Sequence, residues 1–350
     1  MASAELVLVT GGSGFLGAHC LLATLQQGYR ARTTVRSLTR ADEVKAMLLH
    51  GGATQDQINS LEFATVDLLK DDGWTDACKG CTYVLHVASP FPNASPKNEN
   101  DLIIPAREGT LRALRAAKAA GTVKRVVVTS SVAAVAYGHG DRDGAFTEED
   151  WSDLDNPSTT VSPYPKSKTV AERAAWDFIE KEGGGMELAT VNPVAILGPL
   201  LGKDYSTSIE IVIRLLKGAM PGCPQVSFGA VDVRDCAALH LLAMTHPKAA
   251  GQRFISCSDD QFNYISDFAR MLKDGLPADK TSKVPTRNLP NFLVKLAALY
   301  DPGAALIKDD LGKVKKVSNE KAKRELGWTT RTTSEGVIAS ANSVMEFGLV

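Results

Sequence analysis

Tyr164 stands four residues ahead of Lys168 in the stretch SPYPKSKTVAERAAWDF, which begins at Ser162. Pro163 and Pro165 disfavour helix before them and are tolerated in a first helical turn, so the spacing predicts a helix opening at about Tyr164. Residues four apart on a helix share a face, which sets a phenol beside an ammonium. A positive charge next to a phenol favours phenolate, so Lys168 is expected to draw the hydroxyl below its ordinary value of about 10. Such a phenol can hand a proton to an oxygen that is gaining negative charge, or take it back in reverse. That oxygen needs a second hydroxyl to hold it. TSSVAAV supplies Ser130 and Ser131, at the close of the β-rich run KRVVVTS. A tyrosine and a lysine four apart also arise by chance in many helices, and the pair gains meaning only from what else the chain brings to the same place.

The glycines of VLVTGGSGFLG are the second such feature, with Gly11, Gly14 and Gly17 three apart at a strand-to-helix junction. Gly11 permits a tight turn, Gly14 lets backbone approach a pyrophosphate, and Gly17 lets the helix sit against the strand. The helix N-terminus then offers free N–H groups and a positive dipole end to phosphates. The turn follows the first strand of an alternating series, where a dinucleotide-binding fold carries it. The second strand should end beside the adenine ribose. It reads TTVRS there, giving Arg36, with Arg40 one turn on. Guanidinium groups suit a 2′-phosphate through paired N–H···O contacts, which favours NADPH over NADH. Asp67 and Leu68, at the end of the third strand, are placed to meet the adenine.

The elements that must position these groups alternate. Leu6–Thr10 is a continuous apolar run, as expected of a strand covered on both faces. A helix is expected from about Gly14 to Gln27, then strands at Tyr29–Arg36, Leu61–Asp67, Thr82–Ala88, Lys124–Ser130 and Met186–Asn192, with helices near 98–120 and 164–181. This order implies an α/β fold, a Rossmann-type doubly wound parallel sheet whose strand ends converge on one crevice. Gly183, Gly184 and Gly185 follow no strand and read as a breaker. Beyond about residue 192 prolines, glycines and irregular spacing rise, and helices are expected near 208–218, 232–246, 262–275 and 290–300. The division is therefore a dinucleotide-binding domain over 1–192, to which 225–258 is expected to return, and a smaller, mostly helical C-terminal substrate lobe within 193–350.

The 350 residues carry a formal net charge of −1, with 44% hydrophobic and 23% charged residues. No global field draws nucleic acid or an anionic membrane to such a chain. No apolar run is long enough to span a bilayer, and the N-terminus enters a strand pattern at once, so a cytoplasmic protein is expected. Six scattered cysteines read as reduced thiols, and Cys78 and Cys81, with two residues between them, have no second pair to complete a metal or redox site. The histidines show no paired spacing, so no metal is expected. Asn93 heads a formal glycosylation triplet that is idle without a secretory route. His86 is expected to be packed in a strand, and Lys313–Lys316 to be a solvated basic face.

In order along the chain, TGGSGFLG, VDL, HVASPF, VVVTSSVAAV, YPKSKTVAERAAWDF, NPVAILGP, VDVRDCA and ELGWTTR resemble the extended short-chain dehydrogenase/reductase family. They most resemble its branch of dihydroflavonol reductases, cinnamoyl-CoA reductases and yeast-type methylglyoxal or ketone reductases. The resemblance implies an NADPH-dependent carbonyl reductase with Ser131, Tyr164 and Lys168 as the catalytic set. Ser131 is chosen over Ser130 because the family's serine directly precedes the stretch that is VAAV here. The resemblance also assigns Gly11, Gly14, Phe15, Leu16, Gly17, Val87, Ala88, Ser89 and Tyr164 to the cofactor, with Lys168 placed to bond its nicotinamide ribose and Pro193 and Val194 bordering the nicotinamide. Phe91 and Tyr205 are candidates for the substrate pocket, together with Ser131. Pro105 and Ala106 stand where epimerases of the wider family carry a different pattern. Ala136 replaces an Asn common in dihydroflavonol reductases, and TTVSPYPKSK replaces the Asn-, Trp-, Tyr- and Cys-rich signature of cinnamoyl-CoA reductases, which leaves an aldehyde or ketone, a small-molecule carbonyl substrate, as the expected partner of a monomer or homodimer. The competing readings are a sugar-nucleotide epimerase or dehydratase, a hydroxysteroid dehydrogenase, and a regulator that senses the dinucleotide without chemistry.

Overall fold

The structure is a computed structural model that describes residues 5–90, 98–140 and 142–350. Its first strand, Leu6–Val9 (β1), is buried along its whole length. The next strands are Arg30–Val35 (β2), Glu62–Thr65 (β3), Tyr83–His86 (β4), Arg125–Thr129 (β5) and Glu187–Pro193 (β6). Each expected strand is present with its ends shifted by a residue or two, most of them trimmed and β6 running one residue further, to Pro193. The trimmed residues Thr10, Ala88 and Ser130 leave the ladder to form the loops around the cleft described below.

After β6 come three short strands, Ala195–Leu197 (β7), Ser227–Phe228 (β8) and Ala230–Asp232 (β9). Gln252–Ser256 (β10) returns to the main sheet beside β6, and Asn263–Tyr264 (β11) pairs with β8. The seven-stranded sheet of the described residues runs β10-β6-β5-β4-β1-β2-β3, every pair parallel. The order reverses at β1 and β4, and a crevice opens outside the strand ends at that switch point.

The sheet's two faces are filled by different helices. Val7, Val9, Leu85, Val127 and Val191 pack against Phe15–Gln26 (α1), Ala41–His50 (α2) and the later Val233–Thr245 (α8). Leu8, Val84, Val126, Val128 and Leu188 face the other way, against Trp74–Cys78 (α4), Asn100–Ala120 (α5) and Pro163–Glu182 (α6). Alternate residues of one strand thus enter two cores, which is why these strands read as unbroken apolar runs. A short helix, Gln55–Asn59 (α3), lies between α2 and β3. The C-terminal part adds Thr207–Leu216 (α7), Ile265–Gly275 (α9), Asn291–Ala297 (α10), Pro302–Ile307 (α11), Glu320–Leu326 (α12) and Thr333–Glu346 (α13).

Helices α2, α3, α4, α11, α12 and α13 stand where the sequence reading named no element. The start of α13 carried a legible signal: Thr332 and Glu335 form a capping box, the Thr332 hydroxyl accepting from Glu335 N at 3.2 Å while Thr332 N donates to Glu335 Oε2 at 2.8 Å. No helix of the described residues is long and apolar enough to cross a membrane. Cys78 and Cys81 are buried thiols that burial pushes up to about 12 and about 11, which keeps them protonated and inert.

Candidate active site

The glycine-rich turn is shaped by close approaches. Gly11 takes a φ of +72°, a left-handed conformation that suits glycine, and donates its N–H to Thr34 Oγ1 at 3.0 Å. A Cβ on Gly17 would lie 2.1 Å from Gly11 O, so this glycine lets α1 press against the turn. Gly14 differs: a Cβ there would meet only Gly11 O, at 3.4 Å. Protein packing does not demand glycine at 14, and the space it leaves opens into a cleft. Gly14 is also the N-cap of α1 and makes no side-chain cap, which leaves the first N–H groups of the helix for a ligand. Thr10 Oγ1 accepts from Ala88 N at 3.0 Å and pairs with His86 Nδ1 at 3.1 Å, tying the exit of β4 to the turn. His86 is packed as expected, and burial holds its ring at about 4, hence neutral.

The cleft measures about 720 Å³. Gly11, Gly14, Phe15, Leu16, Gly17, Val87, Ala88, Ser89, Ser131, Tyr164, Val194 and Tyr205 all line it. A glycine cradle at a bare helix end, continuous with a long apolar groove, fits an extended ligand with a pyrophosphate at its middle. Pro193 closes β6 and is buried behind Val194. Phe91 lies outside the described residues.

Helix α6 opens at Pro163, with Ser162 as N-cap and a proline at its first position. Its first turns bring Tyr164 to the cleft wall, with Lys168 Nζ 5.9 Å from the tyrosine ring centroid. Lys168 is buried and donates to Ser89 Oγ at 3.1 Å, so it braces the loop leaving β4. The Tyr164 hydroxyl shares a hydrogen bond with the Ser131 side chain. Ser131 Oγ also accepts from Ala133 N at 3.1 Å, which fixes it on the 3₁₀ turn after β5. One expectation is overturned here. Burial pushes the Tyr164 hydroxyl up, the Ser131 hydrogen bond pulling against it, so the phenol is not acidified in this state. Burial also lowers Lys168 to about 8, with Glu172 opposing. Loss of water around both groups sets these two directions.

The two serines separate cleanly. Ser130 Oγ donates to Glu172 Oε2 at 2.5 Å and points away from the cleft. The same carboxylate accepts from Asn192 Nδ2 at 2.8 Å, Thr190 Oγ1 at 3.0 Å and Arg253 Nε at 2.7 Å. Glu172 is thus a fully buried hub that joins α6, β5, β6 and β10 beneath the site. It lies one turn beyond Lys168, a spacing visible in the sequence and passed over there.

These groups belong to a strand-end crevice bordered by a glycine turn. The model of the NAD-dependent epimerase/dehydratase family matches residues 7–256. The chain belongs to that family. A cinnamoyl-CoA reductase of Medicago truncatula is 32% identical over 322 residues, covering 89% of this chain and 96% of the relative. A dihydroflavonol 4-reductase of Zea mays is 33% identical over 352 residues, covering 98% and 89%. The crystal structure of yeast methylglyoxal/isovaleraldehyde reductase Gre2 complexed with NADPH superposes with a TM-score of 0.78 at 28% identity, covering 99% of this chain and 100% of that one. The resemblance read from the sequence motifs is borne out by these relatives.

The remaining residues expected at the cofactor lie as follows. Arg36 is exposed just past β2 and makes no hydrogen bond or ion pair among the described residues. Arg40 is instead held by Glu43, at 2.9 Å, and by Asp204, at 2.6 Å. Asp67 Oδ1 accepts from Leu69 N at 3.0 Å, and Leu68 packs over Gly109, where a Cβ would lie 3.1 Å from Leu68 Cδ2. The cleft's far wall was not foreseen. It is built from Ala136, Tyr137, Ile211, Val226, Phe228, Ile307, Asp310, Lys315 and Val317. Lys315 pairs with Asp310 at 2.5 Å and sits 4.5 Å from the Tyr137 ring centroid, so the expectation of a solvated basic face fails at this residue. Only Ala136 and Tyr137, inside the VAAVAY block, carried a signal in the sequence. The others arrive by contacts that no local pattern encodes.

Proposed function

We propose that the chain is an NADPH-dependent carbonyl reductase. The observation that carries this is the meeting of Tyr164, hydrogen-bonded to Ser131, with the open glycine cradle on one cleft, and Lys168 braced directly behind. The relatives support the reaction type: a cinnamoyl-CoA reductase, a dihydroflavonol 4-reductase and a methylglyoxal/isovaleraldehyde reductase differ in substrate and are all reductases. The Gre2 structure holds NADPH.

Gly11, Gly14, Phe15, Leu16 and Gly17 would hold the pyrophosphate, Asp67 and Leu68 the adenine, and Arg36 and Arg40 the 2′-phosphate. Val87, Ala88, Ser89, Pro193 and Val194 would line the nicotinamide end. When bound, NADPH supplies hydride to a carbonyl carbon. Tyr164 donates its proton to the carbonyl oxygen as that oxygen takes the electron pair of the C=O π bond, so that C=O becomes CH–OH. Ser131 donates a hydrogen bond to the same oxygen. Burial keeps the phenol protonated at neutral pH, the state a proton donor needs. Lys168, charged below about pH 8, then stabilises the phenolate left behind. Residues 1–192 with 225–258 would form the cofactor domain, and the remainder of 193–350 the lobe that selects the ketone or aldehyde.

Single turnover with NADPH deuterated at C4, across a panel of aliphatic and aromatic ketones and aldehydes, tests the reaction. The expected product is an alcohol with the label on the carbinol carbon. Cofactor binding without label transfer to any carbonyl compound would leave a sensor rather than a reductase.

A further inference from the structure

The segment Pro199–Ser206 runs from a contact with α1 and α2 to the cleft. At one end Pro199 O accepts from His19 Nε2 at 2.9 Å, and Leu201 and Gly202 lie against Gly51 and Met47 at the far end of α2. At the other end Tyr205 lines the cleft. Between them Asp204 accepts from Arg40 Nη2 at 2.6 Å, a contact across 164 residues of sequence. Arg40 also donates Nε and Nη2 to Glu43, each at 2.9 Å.

The two carboxylates are not equivalent. Glu43 is three residues from Arg40 at the start of α2 and moves with it. Asp204 belongs to a separate segment and is 53% exposed. Surface ion pairs of this kind hold weakly, and a phosphate monoester carries about −1.5 to −2 charges with several acceptor oxygens. A phosphate brought to Arg36 and Arg40 competes for the guanidinium and repels both carboxylates. Asp204 is the one free to leave.

We propose that Asp204 is a specificity-determining residue, a counter-ion that Arg40 exchanges for the 2′-phosphate of NADPH, so that phosphate binding frees the segment carrying Tyr205 into the cleft. This rests on Arg36 and Arg40 as the 2′-phosphate ligands. NADH, lacking the phosphate, leaves the Arg40–Asp204 bridge in place. The protein then tells the cofactors apart twice, by affinity and by the setting of its substrate wall.

Fluorescence titration of NADPH and NADH into the wild type, Asp204→Asn and Arg40→Gln tests this, with amide hydrogen exchange over 199–206 as a second readout. Asp204→Asn should bind NADPH about threefold tighter, the scale of a surface pair no longer opposing the ligand, with NADH unchanged. In the wild type NADPH should raise exchange over 199–206 and NADH should not. Wild-type NADPH affinity in Asp204→Asn, or equal exchange with the two cofactors, overturns the proposal. Arg40→Gln separates the failures. If it narrows the NADPH preference while Asp204→Asn is unchanged, the exchange is wrong and the phosphate site stands. If it leaves the preference intact, Arg40 is no phosphate ligand and both fall.

Discussion

The two walls of the cleft are built differently. The strand-end wall consists of short polar groups locked from behind: Ser131 on the turn after β5, Lys168 on Ser89, and the buried Glu172 gathering Ser130, Thr190, Asn192 and Arg253. The facing wall consists of apolar side chains from separate segments with one partly exposed ion pair, Asp310–Lys315. Chemistry needs fixed geometry, and the first wall has it. Selection among substrates needs shape that can vary without disturbing that geometry, which the second wall provides.

Breaking the strand-end wall should have the largest effect. Glu172→Gln leaves the Arg253 guanidinium buried without its carboxylate, and losing one partner of a buried pair costs about 3–5 kcal/mol. Urea denaturation reads this directly. A loss below about 0.5 kcal/mol would show that the hub does not hold the wall.

Acid should weaken the same half by a smaller amount per residue. Burial holds the His86 and His240 rings at about 4, below the 6.5 of an unfolded chain. As pH falls the unfolded chain takes up protons first, so this stability is intact above about 6.5 and is lost toward about 4. At about pH 5 each ring should cost about 2 kcal/mol. Denaturation curves at about pH 7.5 and about pH 5 that coincide would refute it.

The facing wall should respond least in stability and only in substrate handling. Lys315→Met removes the partner of Asp310 and the cation over Tyr137, for at most about 1 kcal/mol. KM for the carbonyl substrate should shift several-fold while the NADPH dissociation constant stays put. A matching change in NADPH affinity would show that the two walls are not separable.

The same contrast explains what could be read from the chain alone. The strand-end wall is encoded locally: β-rich runs for β1 to β6, glycines at 11, 14 and 17, and a tyrosine four ahead of a lysine each mark themselves within one element. The hub was only half legible, since Glu172 follows Lys168 by one turn but its partner Arg253 lies 81 residues away on β10. The facing wall was not legible. Tyr205 was named, but Ile307, Asp310 and Lys315 meet Tyr137 only through the folding of the later segments, and nothing in their spacing marks a cleft. Acidity misled for a related reason. Four residues of spacing suggest an ammonium acting on a phenol, whereas burial, a property of the whole fold, pushes the Tyr164 hydroxyl up.

The central claim is that the Tyr164 hydroxyl gives the proton while hydride reaches the same carbonyl group. Turnover and NADPH affinity of Tyr164→Phe, measured side by side on one ketone, test it most directly. Turnover should fall about 1,000-fold or more, the scale of a lost general acid, while the NADPH dissociation constant stays within about twofold. A phenylalanine variant that keeps a tenth of the wild-type turnover would contradict the claim.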